Sequence, residues 1–170
     1  MKNVALLITI LMFSLILSIS CSTEEKWDST ELKQKIEKYV DYWNTGNFEG
    51  IEDVLHKDFE LRMTPKFSPD SGIEHFQESI VYWRQAYPDF YIEIDEILYA
   101  SDAATARWTI TATNTGTGSH PPTGKSIKVS GISIVHFVDG KIKDEWIASN
   151  NLDWIKQLGF TVVPPEFEEQ

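Results

Sequence analysis

The stretch that decides the fold reads His136-Phe137-Val138-Asp139-Gly140-Lys141-Ile142 and continues through Glu145-Trp146 and Asn150 to Gln157-Leu158-Gly159. Asp139-Gly140 is a two-residue hairpin signal, because both residue types tolerate the positive φ that a tight reversal needs. Segments rich in β-branched and aromatic residues flank it, 126–137 before the turn and 141–149 after it, so the pair is read as a β-hairpin. Just upstream, His120-Pro121-Pro122-Thr123-Gly124-Lys125 has the residues of a connection. It lacks the glycine spacing of a phosphate loop and leads into a strand rather than a helix, so it is read as the link into that hairpin.

Working outward, residues 91–99 and 104–113 are two more strands, punctuated by Ser101-Asp102 and by the loop over 116–124. Before them the period changes. Ser29 or Thr30 can cap a helix in which Leu32, Ile36, Tyr39, Val40 and Trp43 recur at three- and four-residue spacing, until Asn44-Thr45-Gly46-Asn47 breaks it. A second short helix fits 48–55, and 59–63 alternates like a first strand. A loop with two prolines covers 65–71. Gly72 then opens a third helix carrying Ile73, Phe76, Ile80 and Trp83, which stops near Tyr87-Pro88. Three helices followed by a mostly antiparallel sheet make an α+β domain, helices on one face.

A chain of 170 residues, 42% hydrophobic and 12% aromatic, is long enough for one core and short for two. Residues 1–20 carry Lys2 as their only charge and then a nearly unbroken apolar run, which reads as a signal peptide. Cys21, the only cysteine, follows a small residue at the end of that run. This resembles the lipobox of bacterial lipoproteins, in which the cysteine is lipidated and becomes the mature N-terminus; Ser18 stands where such proteins usually have leucine. An ordinary cleaved signal and an uncleaved anchor are the alternatives. The lipoprotein reading divides the chain into a leader (1–20), a lipidated cysteine and tether (21–29), a domain (30–161) and a flexible tail (162–170), and places it in the cell envelope, held to the membrane by its N-terminal lipid. With no second cysteine there is no disulfide framework, so the core must supply stability. The net charge of −11 disfavours nucleic acid and anionic headgroups as partners.

The motifs from Pro122-Thr123-Gly124-Lys125 to Gln157-Leu158-Gly159 resemble, in residue type and spacing, the SnoaL-like polyketide cyclases (ester cyclases) of the nuclear-transport-factor-2-like superfamily. The resemblance covers roughly residues 32–160. It implies a cone-shaped domain with three N-terminal helices packed on a curved sheet, in which the sheet and the first helix enclose one deep apolar pocket, with no metal or organic cofactor. In the cyclases an aspartate on the last strand serves as acid and base for an intramolecular aldol closure. Four residues beyond Trp146 that position is Asn150, which can donate and accept hydrogen bonds but has no proton to exchange near neutral pH. His136 matches a pocket histidine of the family, and His56 falls near another, so the resemblance puts His136 and Asn150 in the catalytic positions.

Trp43, His56, Trp108 and Trp146 are the expected ligand-binding residues, since flat ligands stack on aromatic walls. Each has a plainer reading: a histidine in an apolar strand as a wall residue, Asn150 as the end of a strand, the aromatics as core. His75 and His120 are expected at the surface. Two functions follow: a membrane-tethered domain that binds a small hydrophobic or aromatic molecule without cyclase activity, or a cofactor-independent ester cyclase or isomerase working by proton transfer. A carboxylate in the pocket, such as Glu93, Asp95 or Asp153, would favour the enzyme. The resemblance also implies a homodimer formed through the sheet. No Cys/His cluster, HExxH or GxSxG supports metal or serine chemistry.

Overall fold

The computed structural model describes residues 29–63 and 70–163. The leader, Cys21, most of the tether, the loop around Pro65 and the end of the tail lie outside the described residues. The elements are α1 (Ser29–Thr45), α2 (Ile51–Val54), β1 (Leu55–Met63), β2 (Asp70–Ser71), α3 (Ile73–Ala86), β3 (Tyr91–Tyr99), β4 (Ala103–Thr113), β5 (Ser126–Val138), β6 (Lys141–Ser149) and α4 (Asn151–Gln157). The strands form one sheet in the order β2-β1-β6-β5-β4-β3. All neighbours are antiparallel except β1 and β6, which run parallel. This is the expected α+β architecture of helices against a mostly antiparallel sheet.

The hairpin that anchors the reading forms as expected: Asp139 and Gly140 both have positive φ, 51° and 70°, and join β5 to β6. Two details differ. The second helix shortens to a single turn, and β1 starts four residues early because Leu55, fully buried, leaves the helix in extended conformation and pairs beside Ile142. A fourth helix, α4, follows β6 where the sequence reads as a turn. Its seven residues bury no side chain completely, so no apolar stripe announces it.

Helix α1 lays Leu32, Ile36, Tyr39 and Trp43 against the sheet, the stripe that its spacing specifies. It ends at Gly46 (φ 70°), whose N–H donates to the Tyr42 carbonyl at 2.9 Å. Arg84 of α3 closes this end. One guanidinium nitrogen reaches the carbonyls of Asn44, Trp43 and Phe90 (2.7, 3.2 and 3.2 Å), offsetting the negative end of the helix dipole. The Asn44 side chain then pairs with both backbone groups of Ile92 at the start of β3. Phe76 of α3 fills the space between α1 and β1, touching Tyr39, Trp43 and Phe59.

The sheet has two unlike faces. Along β5 the odd-numbered residues are covered and the even-numbered ones face out, as strand alternation demands. On the outer face Ile132, Ile134 and Trp146 are exposed. Trp146 carries the Arg62 guanidinium 5.1 Å over its ring. No helix among the described residues is long and apolar enough to cross a membrane.

Candidate functional site

Between the inner face of the sheet and α1, α3 and α4 lies a cavity of about 710 Å³. Four of the chain's six tryptophans line it, Trp43, Trp83, Trp108 and Trp154, together with Tyr87 and Phe90. Helix α4 and the loop before β5 form its mouth, where His120 packs edge-on against Phe160 with ring centres 5.0 Å apart. Gln157 fixes α4 by pairing with both backbone groups of Lys128, at 2.8 and 3.0 Å. Trp154 donates its indole N–H to the Tyr87 hydroxyl at 3.1 Å.

One carboxylate stands in this apolar wall. Glu145, 6% exposed, accepts a short hydrogen bond from the Tyr39 hydroxyl and another from Ser133. Behind each donor stands an indole. Trp108 donates its N–H to Ser133 Oγ at 2.8 Å, and Trp43 hydrogen-bonds the Tyr39 oxygen. An indole nitrogen only donates, so the Ser133 and Tyr39 hydroxyl protons are left to point at Glu145. Two chains of donors, one from α1 and one from β4 and β5, converge on a single carboxylate.

Burial raises the Glu145 carboxyl above its usual range, and the bonds from Ser133 and Tyr39 pull it back without cancelling the rise. Tyr39 is raised well above an ordinary tyrosine by burial and then by the negative charge of Glu145, so it stays a donor. The geometry depends on Gly131, which lies across from Trp108 on the paired strand. A Cβ there would fall 2.2 Å from the indole ring, so only glycine lets the ring lie flat over β5 and reach Ser133.

Of the six expected site residues, Trp43 and Trp108 line the cavity, and His56, His136, Trp146 and Asn150 do not. His136 is a correction: its even position in β5 turns it to the outer face, where Nδ1 meets Asp144 Oδ1 at 2.7 Å. Asn150 is exposed and caps α4, its side-chain oxygen accepting the Asp153 N–H at 3.2 Å, a capping role open to asparagine and aspartate alike. His56 folds back on its own turn to accept the Asp58 N–H. Trp146 points outward beside Arg62. Neither Glu93, Asp95 nor Asp153 reaches the cavity; Asp95 is held by Arg107 and Thr109, each at 2.9 Å. His120, expected at the surface, is half-buried at the mouth.

Glu145 was the residue to find. Counting back in twos from Ile147 and Ser149, which line the cavity, puts a charge on the inner face of β6. A bulge between His136 and Phe137 interrupts the alternation at the other end of the strand and hides that register from the sequence. Among the described residues no group of three His, Cys, Asp or Glu side chains converges as metal ligands would.

The relatives agree with this architecture. TsrD from Streptomyces laurentii superposes with a TM-score of 0.70 at 25% identity, over 78% of this chain and 98% of that one. A candidate polyketide cyclase from Bacillus cereus ATCC 10987 gives a TM-score of 0.65 at 30% identity, over 77% and 82%. A SnoaL-like polyketide cyclase from Agrobacterium tumefaciens C58, at 19% identity and a TM-score of 0.64, shares the fold over 75% of this chain and 98% of that one. No curated protein sequence matches. The family model for SnoaL-like polyketide cyclases matches residues 33–158, nearly the whole described domain, and the chain belongs to that family.

Proposed function

We propose that the cavity is a binding site for one small, largely apolar and flat molecule, and that this binding, rather than polyketide cyclisation, is the domain's function. The observation that carries it is the cavity itself: a preformed, aromatic-walled space within the size range of small-molecule sites, with one polar cluster at its inner end. The position that carries aspartate in the cyclases is spent here on capping a helix. Four lining tryptophans supply the assay. Titration with a neutral three-ring probe, 9-anthracenemethanol, should quench tryptophan emission saturably at one probe per chain. Quenching that never saturates would refute the site.

A second reading is favoured by one observation, the buried Glu145. Burial raises this carboxyl above its usual range and so makes its carboxylate a stronger base than an exposed one, suited to take a proton from a carbon next to a carbonyl. On this reading deuterium exchange into a bound ketone falls about 100-fold in Glu145→Gln and is unchanged in Asn150→Asp. Exchange at the solvent rate in the wild type leaves binding alone.

The same proposal tethers the domain to the envelope through a lipid on Cys21, supported by the apolar run that precedes it. Cys21→Ser should release the protein from the membrane fraction, and retention there would count against lipidation.

A further inference from the structure

The inner end of the cavity has a definite hydrogen-bonding sense. The Trp43 and Trp108 N–H groups are used on Tyr39 and Ser133, and those two hydroxyls are used on Glu145. No donor of the cluster is left over for a guest. An ionised carboxylate has about four acceptor sites, and Tyr39 and Ser133 occupy two, so what the cluster offers is acceptor capacity and negative charge. A guest that fits must bring the hydrogen.

The surroundings select further. No lysine or arginine lines the cavity among the described residues; besides Glu145 its ionisable groups are tyrosines and His120 at the mouth. An anionic guest would find no counter-charge inside, and the chain's net charge of −11 repels it from outside. A cation meets the opposite conditions. The tryptophan-rich walls attract it through their π systems, Glu145 pairs with it, and the acidic surface draws it in. Glu145 lies in the wall rather than behind it, so contact needs no rearrangement of the core.

We infer that the molecule held in this cavity is a hydrophobic amine, bound as its ammonium ion with the N–H groups directed at Glu145 and the apolar body against the tryptophans. This rests on the reading of the cavity as a small-molecule site and narrows it to one chemical class. A neutral alcohol would satisfy the acceptors but not the charge, and a carboxylate would satisfy neither.

Three probes of nearly one shape separate these cases: 9-aminomethylanthracene, 9-anthracenemethanol and 9-anthracenecarboxylate. Each is titrated into the wild-type protein by calorimetry at about pH 8, where a benzylic amine is still largely protonated. The amine should bind at least about 10-fold more tightly than the alcohol, and the carboxylate most weakly of the three. In Glu145→Gln the preference of amine over alcohol should fall by at least about 5-fold, leaving only what the tryptophan walls and surface charge supply, while alcohol binding persists. If the alcohol binds as well as the amine, or the carboxylate better, the amine assignment falls and the cavity reading stands. If none of the three binds, both fall. The comparison within the wild type decides the matter even if the variant does not fold.

Discussion

Phe76→Ala should lower the free energy of unfolding by about 3–5 kcal/mol in a urea titration, the upper range for emptying a core aromatic site. The ring is 1% exposed and sits among three others: stacked on Tyr39 at 5.1 Å, edge-on to Trp43 at 5.5 Å and edge-on to Phe59 at 5.3 Å. Each aromatic pair adds to the area term, and the helices cannot close the gap without pulling α1 off β1. Val81→Ala, on the same helix but 57% exposed, is the control and should change stability by less than about 0.5 kcal/mol. Equal effects from the two would mean that α3 is not wedged between α1 and the sheet. The damage should also reach the cavity, because Tyr39 and Trp43 form one of the two donor chains to Glu145.

Glu145→Gln should make the domain more stable than wild type at neutral pH, by an amount that shrinks as the pH is lowered. The sign follows from linkage. Burial raises the folded-state pKa of Glu145 above the ordinary value near 4.5, so the folded chain holds this proton more tightly than the unfolded chain does. The contribution of the protonated group is fully present below the unfolded pKa and is lost as the pH rises through the folded one. Glutamine keeps the shape and an acceptor for Tyr39 but cannot ionise, so it escapes the loss. Asp89 works in the opposite sense. Burial raises its carboxyl, but hydrogen bonds from Thr113 outweigh that and hold it below its usual range, so its stabilisation grows as the pH rises through about 3.8. The difference between the variant and wild-type melting temperatures, followed from about pH 4 to 8, removes this common background. A difference that stays flat would show Glu145 titrating as it does in the unfolded chain.

The fold was legible because its signals are local. Asp139-Gly140 and the even spacing of the β5 and β6 segments needed no knowledge of the rest of the chain, and the apolar stripe of α1 carried its own period. The site was only partly legible. Trp43 and Trp108 could be named because they are large and their elements were assigned. Their partners were harder: the Tyr39 hydroxyl meets Glu145 across 106 positions, and nothing local marks either as one half of a pair. His136 was misplaced for a related reason. In an apolar strand a histidine looks internal, yet alternation from Ser133 and Val135 turns it outward, and Asp144 on the next strand satisfies it there. Asn150 caps α4, a structural contact that its correspondence to a family position does not announce.

The parallel seam between β1 and β6 has a consequence for the order of assembly. Strands β3 to β6 are neighbours in the sheet and in the chain, so they can pair by closing short loops. Strand β1 must wait for a partner more than eighty residues downstream, and α1 reaches its Glu145 contact across a still longer loop. Contacts of such range form late, and they set the pace of folding. The meander is therefore expected to form first, with the N-terminal segment docking as its last wall. The cavity is complete only once that docking is done, so a molecule held there should slow the undocking of α1 more than it hastens the pairing of the meander.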